Sequence, residues 1–163
     1  MISWEKRPDE IQALLNPAFI GRLIREFVQS YTKENKKDVP FELLFIFLPI
    51  ALQKKFRDAL PNTTRTQIHV WLLNHPEYRI AFANKNKNLV PFVREAITFL
   101  LQRDIISLTD QGEFAMGNKK YRRVKVFETE DVQECLKAAK FMGKWLARSG
   151  SSSTIYAIWG LRP

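Results

Sequence analysis

The most concentrated chemistry in the chain is Lys119-Lys120-Tyr121-Arg122-Arg123-Val124-Lys125, five cations in seven positions with an aromatic ring among them. Such side chains neutralise phosphate oxygens, so the run points to a nucleic-acid backbone, although a solvated charged face has the same composition. Catalysis needs a nucleophile beside a base, a metal cluster or a phosphate cradle. The sequence offers none of these. Its glycines, at 21, 112, 117, 143, 150 and 160, never reach the spacing of a phosphate-binding loop. His69 and His75 have no cysteine or carboxylate set around them, which argues against zinc. Cys135, the one cysteine, falls on an apolar helix face, where a thiol acts as a small hydrophobe. Glu128, Glu130 and Asp131 stand where a helix begins, and the helix dipole alone accounts for them. The expectation is a protein that is not an enzyme, with no cofactor and no small-molecule substrate.

The elements that must position these residues are mostly helices. Asn16-Pro17 is a cap followed by a helix-starting proline, and Ile20, Leu23, Ile24, Phe27, Val28 and Tyr31 then recur at helical spacing. A shorter helix is expected from Pro8 to about Leu15. Lys33 to Asp38 reads as a solvated loop, and Pro40 as the start of a core helix that Pro49 must kink or restart. After the break at Leu60-Pro61 come a short helix around Ile68, Trp71 and Leu72 and another from Pro76 to about Ala83. Asn84 to Asn88 reads as a polar turn before a helix from Leu89 to Arg103. Residues 105–117, with a turn at Asp110-Gln111-Gly112, pattern as a hairpin. Three helices followed by a hairpin is the order of a winged helix-turn-helix, with Leu89 to Arg103 in the place of the recognition helix.

Glu130 and Asp131 lead a helix with three faces. Val132, Cys135, Leu136, Ala139, Met142, Gly143 and Leu146 form its core side, Ala138, Phe141 and Trp145 a second apolar strip, and Lys137, Lys140, Lys144 and Arg148 a basic one. A short helix from about Thr154 to Trp159 follows, capped by the serines before it and stopped by Gly160. The fold class is therefore mainly α (α+β). Residues 1–61 form a helical segment packing on the body, 62–128 a winged-helix-like region with a small hairpin wing, and 129–163 the C-terminal helices, all in one compact unit.

The chain of 163 residues carries a net charge of +9, and residues 61–163 hold 16 of the 26 basic residues against nine acidic ones. That balance favours phosphate backbones or acidic protein surfaces. The longest apolar run, Leu43 to Leu52, is half the length a membrane span needs, so no membrane partner is expected. A single cysteine and a start without the signal-peptide pattern suggest a cytoplasmic location.

Several stretches resemble a known family. They are Trp4-x-x-Arg7-Pro8, Leu14 to Phe19 with Gly21, the Leu48-Pro49 break, Lys54, and Arg57-x-x-Leu60-Pro61. At the other end are Gly143-Lys-Trp145-Leu-Ala147-x-x-Gly150 and Thr154-Ile155-x-Ala157-x-x-Gly160-Leu-Arg162-Pro163. Together they are similar to the middle component of three-component ABC-ATPase systems, a family that includes the accessory subunit of Lamassu-type anti-phage defence. The resemblance implies a kleisin-like subunit working between an SMC/Rad50-like ABC ATPase and an effector nuclease. On that reading Phe141, Lys144, Trp145, Trp159 and Arg162 are expected to face protein partners. Lys87, Lys119, Lys120, Arg122, Arg123 and Lys125 are expected to lie beside DNA. The alternative is a free-standing winged-helix DNA-binding transcriptional regulator, in which the same cations clamp phosphates.

Overall fold

A computed structural model describes Pro8, residues 15–119 and residues 128–161. The expected helix between Pro8 and Leu15 lies outside these residues.

Helix α1, Pro17–Asn35, begins as its sequence dictates: Asn16 Oδ1 accepts from the Ala18 amide at 2.8 Å and proline fills the first position. Its apolar stripe from Ile20 to Tyr31 is buried along its whole length. The helix runs into the expected loop and stops only at Lys36, whose φ of 60° closes the end. Strand β1, Val39–Pro40, follows, then a 3₁₀ turn, Phe41–Leu43, and helix α2, Leu44–Leu52. Pro40 thus ends a strand and also caps the 3₁₀ turn that leads into the core helix. Helix α2 is buried at every position from Leu44 to Ala51 and continues through Pro49, giving up only the one helical hydrogen bond that proline cannot donate. Helix α3, Lys54–Asp58, and helix α4, Ile68–Asn74, are short.

Helix α5, Pro76–Gln102, is the main departure from expectation. The polar segment Asn84 to Asn88 is helical, so the two expected helices are one helix of 27 residues. The segment contains neither proline nor glycine. Asparagine lowers helix propensity by well under about 1 kcal/mol per residue, too little to break a helix packed at both ends. Pro91 also lies inside α5 and deprives the Lys87 carbonyl of its helical partner.

Strands β2, Ile106–Leu108, and β3, Glu113–Met116, form the expected hairpin, with Gly112 at φ 77° in its turn. The sheet is antiparallel in the order β1-β3-β2, with Val39 and Leu108 on either side of Phe114. A strand from the N-terminal segment thus completes the sheet of the hairpin. Helix α6, Glu130–Ala147, is capped by Thr129, and helix α7, Ser152–Trp159, by Ser151, with Gly160 at φ 69° as its stop. Helix α1 packs chiefly on α6 and then on α5, with α2 also between α5 and α6. One apolar cluster runs through all of them.

Candidate partner and nucleic-acid surfaces

Helix α6 carries the residues expected to meet a protein partner, and its packing decides which are available. Gly143 lies against α1 so closely that a Cβ there would stand 2.5 Å from the Phe27 carbonyl oxygen. This approach turns two strips of α6 inward at once. Trp145 is 1% exposed, donates through Nε1 to the Thr66 carbonyl at 2.6 Å and meets the Trp71 ring edge-on. Trp159 on α7 is equally buried and lies 6.1 Å from Trp71. Neither tryptophan can anchor a partner on this fold; both hold α6 and α7 on α4. Phe141 is half-buried against Trp145, and Lys144 is exposed. Arg162 lies outside the described residues.

Two of the four cations on the basic strip of α6 brace it on α1. Lys140 pairs with Glu26 at 3.3 Å, Arg148 with Glu34, and Arg22 of α1 with Glu128 just ahead of α6. Between them runs a polar groove of about 550 Å³ lined by Arg22, Arg25, Glu26, Glu128 and Lys140, whose opposite charges face one another. Lys137 pairs with Glu134 one turn away; that contact holds the Glu134 carboxyl below and the Lys137 ammonium above their ordinary ranges. Both are exposed, so the pair adds little stability.

A tighter cluster surrounds the cysteine. The Arg57 side chain is 6% exposed and donates to the Ala51 carbonyl at 3.0 Å, to Cys135 Sγ at 3.3 Å and to Asp131. Burial pushes the Cys135 thiol up, with Arg57 pulling the other way. The thiol is therefore protonated and enclosed, and the cluster ties the α2–α3 corner to the start of α6. The sequence reading missed this clamp, whose members are 74 residues apart or more across the helices.

On the hairpin side, Lys87, Arg94, Thr98, Arg103 and Lys119 are exposed, and Arg103 rests over the Phe99 ring at 4.3 Å. Lys87, Arg94 and Thr98 fall on one outward stripe of α5. Lys119 is fixed by its amide, which donates to the Asp104 carbonyl at 3.1 Å. Lys120, Arg122, Arg123 and Lys125 lie outside the described residues. Among the described residues there is no group of three or more His, Cys, Asp or Glu able to hold a metal ion, and no helix is long and apolar enough to cross a membrane.

The molecule described so far is a mainly helical one with a small antiparallel sheet and its charge set on outward helix faces. Its family is defined by sequence: the model of the ABC-three component (ABC-3C) system Middle Component 3 matches residues 4–163. The chain belongs to this family, so its partners are an ABC ATPase and the other component of such a system. No curated protein and no solved structure matches the chain.

Proposed function

We propose that this middle component is a non-catalytic, kleisin-like adaptor in an anti-phage or anti-plasmid defence complex of the Lamassu type. It bridges an SMC/Rad50-like ABC ATPase and an effector nuclease and restrains the nuclease until the ATPase is engaged. The observation that carries this reading is the family match over nearly the whole chain. The chain runs helix, strand, four helices, strand, strand, and the sheet order β1-β3-β2 with its hairpin after α5 supports a winged-helix body. The exposed cations of α5 and Lys119 favour a position next to DNA held by the ATPase.

The test is co-expression with the proteins encoded beside it, purification through a tag on this chain and mass determination of the eluted species. A fixed-ratio complex containing an ABC ATPase and a nuclease supports the adaptor. Elution alone or as a homodimer favours the DNA-binding regulator instead.

A further inference from the structure

Helix α4 has two faces of opposite fate. Ile68, Trp71 and Leu72 turn inward and are at most 5% exposed. His69, Val70, Leu73 and Asn74 turn outward, with Val70 42% and Leu73 77% exposed. Leu73 is the most exposed large apolar side chain among the described residues. Val70 lies one turn from it at a spacing of three, so the two form one aliphatic ridge. An isolated surface leucine needs no explanation. This one borders a second feature.

Beside α4, between the 64–67 segment and the facing ends of α6 and α7, is an open cleft of about 470 Å³. Its lining includes Arg65, His69, Arg148 and the three threonines 64, 66 and 154, and it contains no carboxylate. Arg65 is exposed, and Arg148 is half exposed although it reaches Glu34. His69 belongs to both features: it lines the cleft and stands one turn before Leu73. The surface is therefore an aliphatic ridge running into a cationic, hydroxyl-lined cleft. In the groove between α1 and α6 each cation meets a carboxylate; here Arg148 does so through Glu34, while Arg65 makes no ion pair among the described residues.

We propose that this face is the docking site for a partner segment in which aliphatic side chains adjoin Asp or Glu. The aliphatic residues cover Val70 and Leu73, and the carboxylates enter the cleft toward Arg65 and Arg148. Charge complementarity selects an acidic segment. The ridge selects protein over nucleic acid, because a phosphate backbone gains nothing from two aliphatic side chains. The proposal rests on the adaptor reading and assigns one of its contacts.

The test co-expresses the wild-type chain, Leu73→Glu and Arg65→Glu with the ABC ATPase and the remaining component of the system. A photo-crosslinking amino acid replaces Leu73 in a fourth sample. The expected result is a wild-type complex, at least about tenfold lower recovery of one partner with each variant, and unchanged thermal midpoints, since both side chains are exposed. The crosslink should map to an acidic, aliphatic stretch of the lost partner. Full retention of both partners by both variants overturns this face and leaves the adaptor reading standing. A crosslink to a second copy of this chain, to DNA or to a stretch without carboxylates also overturns it. A wild-type chain that elutes alone overturns both proposals.

Discussion

The indole of Trp145 and the main-chain carbonyl of Thr66 share a hydrogen bond of 2.6 Å that closes the loop before α4 onto α6. The bond holds a segment with no regular structure of its own, and the same indole meets the Trp71 ring edge-on. Trp145→Ala removes a large buried side chain and is expected to cost about 3–5 kcal/mol. Trp145→Phe keeps most of the bulk and leaves the Thr66 carbonyl without this donor, for about 1–3 kcal/mol. Urea unfolding of the isolated chain measures both. Loss of partner binding at unchanged stability would return Trp145 to the surface role expected from sequence.

Gly143→Ala is expected to destabilise although alanine is the better helix former. The added methyl meets the Phe27 carbonyl oxygen at 2.5 Å and Ser30 Cβ at 2.9 Å, and the first of these is backbone in the middle of α1. Overpacking of this kind costs about 1–3 kcal/mol. The urea midpoint should fall with helix content unchanged; a rise in the midpoint would mean that α1 and α6 separate without cost.

Tyr156 makes stability depend on alkaline pH. Its phenol donates to the Glu42 carbonyl at 2.8 Å, while Ser152 from the same helix donates to the Glu42 carboxylate. Burial, with Glu42 adding to it, pushes the phenol up from 10.0 to about 12. Below pH 10 it is neutral folded or unfolded; above that the unfolded chain ionises first. Stability should therefore fall as pH rises from about 10 through about 12. Tyr156→Phe should flatten that part of the profile and cost about 1 kcal/mol at neutral pH. Denaturation across the alkaline range, alongside ultraviolet titration of the phenol, checks both.

Cys135 should resist thiol reagents in the folded protein and react once it unfolds, because its thiol is 2% exposed and held protonated by burial. Arg57→Met keeps much of the bulk but removes the donors to Ala51, Cys135 and Asp131, at a cost of about 1–3 kcal/mol. It should also accelerate labelling. Equal labelling rates in both proteins would show that Arg57 does not control access to the thiol.

DNA contact by the basic run is tested by reversing Lys119, Lys120, Arg122 and Arg123 to Glu. If the run and its neighbours neutralise about five phosphates, the log-log dependence of affinity on salt has a slope of about −4.5. The reversed protein, in the purified complex, should bind more weakly and with a shallower slope. Unchanged affinity and slope would remove the run from any DNA interface.

Local signals were readable in advance where one or two residues settle them. Asn16-Pro17 and Ser151 with Gly160 each mark a helix end that the structure keeps, and the α1 stripe is buried as its periodicity requires. Three features needed the tertiary partners. Asn84 to Asn88 resembles a turn until both flanks are seen in one helix. Strand β1 is too short to pattern and exists only because β3 lies beside it. Trp145 belongs to a strip that looks spare on an isolated helix, and the glycine two residues before it brings α6 close enough to α1 for both apolar strips to be covered. The same holds for the family-like residues: Arg57, Gly143 and Trp145 are recognisable as a pattern, but their work is close packing and clamping inside the fold.

The unbroken course of α5 sets the distance between two ends of the molecule. At 1.5 Å per residue its 27 residues hold the α4 end and the hairpin end about 40 Å apart. A straight helix bends readily only where a backbone bond is missing, and Pro91 removes one such bond. Any bend in α5 is therefore expected at Pro91, between its α4 end and its hairpin end.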